Sequence, residues 1–593
     1  MSTRLKRLVS LSTALVLLFA AGAALDPLQR MREEYDLTNQ PVEGLTPQLA
    51  LATQVLGWGR GLIIDVIWIR MEALKMDDRY FELVQLADWA CKLAPRFAPV
   101  WDIQSWNLAY NVSCRMSKLP DRWPWVWAGV ELLRDQGIPQ NPYSAMLYDR
   151  LAMLFYHKMG EQTDNANMFY KRSLGLLMHE IIGGEGTAEQ LETLAKAPAT
   201  REELLADSDV QRFHQECMVH GFDIVDGFFE FYKQTASVPR PIFEIVNRDY
   251  NLFAIRKTAA FARARRLREE MKMDVRLMLE LREQYGPFDW RSPYPHAVYW
   301  ATVGVRKLDE LEARTVSKFE SFGKEVPKPY EEGEGDLREG EGLYEFQRVT
   351  LERIIYASMQ SLVTHGRVLF DTRGVLQLEV GPDYRFADAT LPLYRKMIEE
   401  RGSRFATGAT EGLKNFLTRG LMEFYYTGDV RKSQAYFAML KKDYPDEVRN
   451  RTYDAYRRAA MDYALQDKTT QEARRLVWVY LIRSLVALGL GNYNESAALE
   501  QQARDFATQW NEAEDNDGSP RMTVRFDRVR ETAVVDVLTG RAGVSRTVYM
   551  GILRELRAQK SDAVDQILKN LQEAQVSLPT PEEVDDELKE YRY

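Results

Sequence analysis

The residues best suited to chemistry in this chain are His214, Cys217 and His220, which follow one another at H-x2-C-x2-H spacing. On a helix such residues fall on successive turns, and a fourth donor from elsewhere would complete a tetrahedral zinc site. The helical period works against it, because residues 214 and 220 lie about 120° from superposition. His179-Glu180 lacks the second histidine of an H-E-x-x-H zinc motif. Asp515-Asn516-Asp517-Gly518 has the composition of a calcium loop, but counting from Gly518 puts Ala513 at the first carboxylate and Val524 at the bidentate glutamate. Gly57, Gly59 and Gly61 make no phosphate fingerprint, and neither a Walker lysine motif nor a G-x-S-x-G elbow occurs. The expectation is a chain with no catalytic residue, cofactor or metal.

Recognition is the better use of what remains. Eight of the twelve tryptophans lie within residues 58–127. Trp89 and Trp101 fall at core positions of helical pairs, whereas Trp123, Trp125 and Trp127 flank Pro124 and are the candidates for a binding surface, with peptide or glycan as ligand. A second candidate surface is basic: Arg256, Lys257, Arg263, Arg265, Arg266, Arg268 and Lys272 share one predicted helix, of which Arg263 and Arg266 are the residues singled out. Glu269, Glu270 and Asp274 follow closely and are placed to pair with it, which makes a solvated face the favoured reading over an anionic partner.

The chain around these residues has 593 residues, 45% of them hydrophobic, and a net charge of −9. That charge is modest for the length and excludes a general nucleic-acid binder. The N-terminus differs from the rest: Arg4, Lys6 and Arg7 precede a run from Leu8 to Leu25 without charge. Its length favours a membrane anchor with a cytoplasmic N-terminus over a cleaved signal, for which Ala21-Gly22-Ala23 offers a site. Either way the bulk of the chain is exported. Cys91, Cys114 and Cys217 form no disulfide framework, and free thiols are the expected state.

From residue 61 the apolar spacing is helical. Leu62, Val66, Ile69 and Ala73 mark one helix face, and Leu83, Ala87, Ala90 and Cys91 mark the next before Pro95. Trp101, Ser105 and Leu108 begin a further pair with a widened turn through Pro120 and a helix over 123–134. Tyr148, Leu151, Ala152 and Phe155, then Ala166 and Tyr170, make a cleaner one. Helices are also predicted over 188–196, 210–233, 251–285, 296–311 and 344–365. The acidic, Gly-rich run at 326–342 reads as an exposed loop, and the apolar runs at 368–370 and 375–380 permit a short hairpin. Further helices follow at 412–445, 450–465, 480–503, 524–538 and 545–574, before an acidic tail.

Leu417, Gly420, Leu421 and Phe424 keep the first-helix offsets of a tetratricopeptide unit, and Gly428, Ser433, Phe437, Leu440 and Pro445 keep those of its turn, second helix and exit. The chain resembles tetratricopeptide-repeat proteins at about five places, covering about a third of its length, and most specifically here and at 142–173. The segments Arg79–Trp89, Asp289-Trp290-Arg291 and His296–Trp300 are also similar to large bacterial proteins with one N-terminal membrane segment. These resemblances imply an all-α superhelical solenoid of helix pairs with inserts, since one such pair cannot close its core alone.

The domain organisation expected is an anchor or signal at 1–25, a stalk at 26–60, repeats at 61–180 and a divergent helical region at 181–400. Repeats resume at 401–510, and a helical cap and tail occupies 511–593. The function expected is a non-catalytic scaffold for a peptide or protein partner, single-pass in a bacterial inner membrane through residues 8–25, with its bulk in the periplasm. The alternatives are secretion to the periplasm after cleavage, an accessory subunit of an envelope transport or polysaccharide assembly complex, and a helical-toroid carbohydrate-active enzyme. That enzyme would need two carboxylates across a deep pocket.

Overall fold

Apolar residues at three- and four-residue spacing make helices along most of the described residues. The computed structural model describes residues 59–590, apart from 78, 162, 322–343, 371–377, 382, 401, 427–428, 466–469, 513–522, 541, 543, 545, 560, 574–575 and 577. The predicted anchor, the stalk to residue 58, the acidic loop and the calcium-like run at 515–518 lie outside the described residues. What is described is all-α except for one two-stranded hairpin. It divides into two compact units, one of residues through Arg115 with Trp127–Leu147, the other of Met116–Val126 with Tyr148 onward.

In the first unit α1 (Gly59–Met76) packs on α2 (Tyr80–Leu93), and α2 on α3 (Ala98–Trp106). The predicted face of α2 is the buried one, Leu83, Ala87, Ala90 and Cys91. That of α1 is not: Ile67, Met71 and Leu74 are buried, while Val66 and Ile69 are 67% and 71% exposed. α1 carries apolar residues on two faces, and α2 covers only the second. Trp89 also departs from expectation. It is 63% exposed because it lies off the stripe through which α2 packs, whereas Trp101 is buried and donates its indole N–H to the Pro95 carbonyl at 2.8 Å. α3 continues as a π-helical stretch, Asn107–Val112. α4 (Leu119–Glu131) replaces the predicted turn and belongs to the second unit through Val126 and to the first from Trp127: Pro120 lies in its first turn, where a missing N–H costs nothing, and the helix runs on as a second π-helical stretch, Leu132–Gly137.

In the second unit Tyr148, Leu151, Ala152 and Phe155 are buried along α5 (Ala145–Met153) and its π-helical continuation Leu154–Gly160. α6 (Asn167–Ile182) ends at Gly183, whose φ of 84° is left-handed. A capping box of Thr187 and Gln190 then starts α7 (Ala188–Ala195), and Asp207 caps α8 (Ser208–Val219). The run at 251–285 is two helices, α9 (Leu252–Glu269) and α10 (Val275–Tyr285), because Asp274 caps a fresh start. α11 (Pro293–Ser321) packs on α12 (Glu345–His365). The hairpin follows, with β1 (Arg367–Phe370) antiparallel to β2 (Leu378–Gly381) and Val368 opposite Val380.

After α13 (Ala387–Glu400), the pair α14 (Gly402–Tyr426) and α15 (Val430–Asp443) carries the repeat motif. Leu417, Leu421, Phe424, Ser433 and Leu440 are buried. Gly420 admits the Tyr436 ring, since a Cβ there would stand 2.6 Å from Tyr436 Cε1, so Tyr436 rather than the expected Phe437 is the buried aromatic. The Ser433 hydroxyl donates to the Leu421 carbonyl at 2.6 Å. α16 (Tyr453–Leu465) leads to the pair α17 (Thr470–Gly489) and α18 (Tyr493–Glu512), where Ser484 donates to the Ser496 carbonyl at 2.8 Å. The predicted helix at 545–574 is divided into α20 (Arg546–Ala558) and α21 (Asp562–Glu573), between α19 (Phe526–Leu538) and α22 (Pro581–Glu590). These four close one core with α17 and α18, including Trp510, Val534, Leu553 and Val584.

Candidate functional site

The three sequence-predicted tryptophans are half-buried. Trp123 tilts towards Tyr170 with ring centres 6.5 Å apart, and Trp127 lies under the Arg134 guanidinium at 5.6 Å. Their indole faces are therefore partly spent on packing within the chain.

The basic helix is α9, and three of its six basic residues pair with carboxylates outside the helix. Lys257 pairs with Asp207 at 2.6 Å and Arg265 with Asp226 at 2.9 Å. Arg266 pairs with Glu180 of α6 and, at 2.6 Å, with Glu270. Burial pulls the Arg266 pKa down, but the Glu270 and Glu180 carboxylates outweigh it and leave it raised. Asp274, expected to pair with α9, instead caps α10. Arg263 packs against Gly183 at the C-terminus of α6, where a Cβ would stand 2.7 Å from the guanidinium carbon. It lies over the rings of Phe228 and Tyr232 at 5.7 and 5.5 Å, so a helix dipole and two aromatic faces stabilise a guanidinium whose pKa burial lowers. Both arginines knit α6 to α9.

The zinc-like triad is not brought together. His214 Nε2 lies 3.2 Å from Arg201 Nη2 and 3.3 Å from Asp223 Oδ1, and His220 is exposed. Cys217 is buried in an apolar cluster with Phe213 and Ile242, its thiol pushed up to about 12 by burial. Among the described residues no group of three or more histidines, cysteines or carboxylates is placed to hold a metal. All three cysteines are free thiols.

The structure places a cleft elsewhere, where α10, α11, α12 and α13 meet in the second unit. It has a volume of about 420 Å³. Tyr285, Val305, Ile355, Tyr356 and Leu393 supply apolar and aromatic walls, and Arg306, Glu352 and Lys396 supply charge. Tyr356 meets Tyr394 edge-on with ring centres 4.7 Å apart. Burial raises both the Tyr285 and Tyr356 phenols, Glu352 adding to the first and Tyr394 to the second, so both stay neutral hydrogen-bonding groups at ordinary pH. Arg306 pairs with Glu280 at 2.6 Å, and Lys396 stands 3.7 Å from Glu352. Glu352 is the one carboxylate among the lining residues, so this cleft does not supply the carboxylate pair of a glycosidase. What it offers is apolar walls, neutral phenols and three charged side chains.

The lining residues run from Gln284 to Lys396 with no local motif. Three- and four-residue spacing marks which helices have apolar faces, but which four helices converge depends on tertiary packing. No protein-family model, curated protein or solved structure matches the chain. Among the described residues no helix is long and apolar enough to cross a membrane.

Proposed function

We propose that this chain is a protein-interaction scaffold, tethered to a bacterial inner membrane by residues 8–25, whose stacked helix pairs bind a peptide or protein partner in the cell envelope. The observation that carries the reading is the cleft among α10–α13, with aromatic and aliphatic walls for anchoring side chains and charge at its mouth for selectivity. The helix pairs α14/α15 and α17/α18, each closed by a buried serine-to-carbonyl bond, support a tetratricopeptide-like frame. The test is crosslinked affinity purification of the full chain from solubilised membranes, with wild type beside Leu393→Arg. A partner recovered with wild type and reduced roughly tenfold with the variant is the expected result. Equal recovery with both chains, or the chain alone and soluble, overturns the reading.

A further inference from the structure

α1 buries one apolar face and leaves another bare. Val66, Ile69 and Met76 are 67%, 71% and 84% exposed, and Ala73 between them is exposed as well. Their spacing alternates three and four residues, that of the a and d positions of a heptad, and Leu62 extends it in sequence. So narrow a stripe fits a helix laid along it better than a bilayer surface, which takes a broad apolar face. With Val66 and Ala73 at a, and Ile69 and Met76 at d, the flanking g positions are Asp65 and Glu72, and the e positions are Arg70 and Asp77. Asp65 and Arg70 are both exposed, and neither forms an ion pair among the described residues.

In a parallel two-stranded coil, a g residue meets the e residue five positions further on in the other strand. Asp65 therefore meets the second copy's Arg70, twice by symmetry. In an antiparallel pair g meets g and e meets e, setting Asp65 against Glu72 but Arg70 against Asp77, so the charges close as many pairs in either sense. The membrane tether of the proposed function selects the parallel sense, because chains leaving one membrane face present α1 in one direction and at raised effective concentration. We propose that this stripe docks on the same stripe of a second copy of the chain as a short parallel coiled coil. Glu72 opposes the second copy's Asp77, and about two heptads are fewer than a free coiled coil needs, so the contact forms where the tether concentrates the copies.

The test uses the full chain in membranes with its exposed thiol removed by Cys114→Ser. Oxidation should link two copies through Ile69→Cys or Met76→Cys and not through Lys75→Cys, which points away from the seam. Asp65→Arg should lower the Ile69→Cys yield roughly tenfold, and mixing it with an Arg70→Asp chain should restore linkage between the two variants. Circular dichroism matching wild type guards against misfolding. The proposal is overturned by equal linkage at Lys75→Cys, by charge variants without effect, or by position 69 linking instead to residues 26–58 of its own chain or to another protein. Membrane fractionation of the same samples reads the tether separately. A chain found soluble removes the tether, while the seam is then judged by crosslinking at high protein concentration.

Discussion

His296 lies wholly inside the second unit, its ring stacked on Phe155 with centres 5.0 Å apart and its Nε2 2.9 Å from the Trp290 carbonyl. A carbonyl only accepts, so Nε2 carries the proton, and Nδ1 is buried with no hydrogen-bond partner. Protonation would place an N–H at Nδ1 in apolar surroundings. Burial accordingly lowers the pKa from 6.5 to about 4, although the Trp290 carbonyl pulls the other way. With the folded pKa depressed, this histidine's contribution is present above pH 6.5 and is lost as pH falls towards 4. Between pH 7 and pH 5 the loss should be about 2 kcal/mol. Urea titrations at both pH values should show wild type losing that much more than His296→Phe, which keeps the stack and cannot titrate. Parallel losses in the two proteins would refute the assignment.

At the scale of elements, contacts between helices depend on residues without side chains. A Cβ on Gly551 of α20 would stand 2.0 Å from the Gly489 carbonyl oxygen at the end of α17, and the nearest atoms to one on Gly420 belong to the Tyr436 ring, at 2.6 Å. Backbone cannot turn aside as a ring can. Alanine for glycine ordinarily adds about 1 kcal/mol inside a helix; here the sign should reverse. Gly551→Ala should cost about 3 kcal/mol and Gly420→Ala about 1–2 kcal/mol, read as shifts of the chemical-denaturation midpoint. A neutral or stabilising Gly551→Ala would refute the close approach. Gly420 was legible in the sequence because it sits at a repeat offset, and so were the buried positions at Leu417, Leu421 and Ser433 and the short hairpin of β1 and β2. Gly551 was not, since its need arises from a helix about sixty residues away in the chain. The face of α1 marked by Val66, Ile69 and Ala73 is exposed for a related reason: periodicity reports that a face is apolar and is silent about what covers it. Arg263 and Arg266 were found by charge density, yet their role depends on Glu180 and Gly183 of α6, which no spacing within α9 reveals.

For the whole molecule, the division into two units has an energetic consequence. The chain crosses between them after Arg115, Val126 and Leu147, so neither unit is one continuous stretch and the full chain is the proper object of a test. Each unit nevertheless has its own buried residues, Leu83, Ala87 and Trp101 in the first, and Phe155, Trp290 and Leu421 among those in the second. Ala87 is fully buried, and Ala87→Asp would place an unpaired carboxylate in the first unit at a cost of several kcal/mol. If the units unfold separately, calorimetry of the full chain should show two transitions, with this substitution lowering only one of them. The Tyr285 and Tyr356 cleft would then persist at temperatures where the first unit has melted. A single transition moving as a block would mean that the three chain crossings couple the units into one cooperative structure, and the cleft would be lost together with α1 and α2.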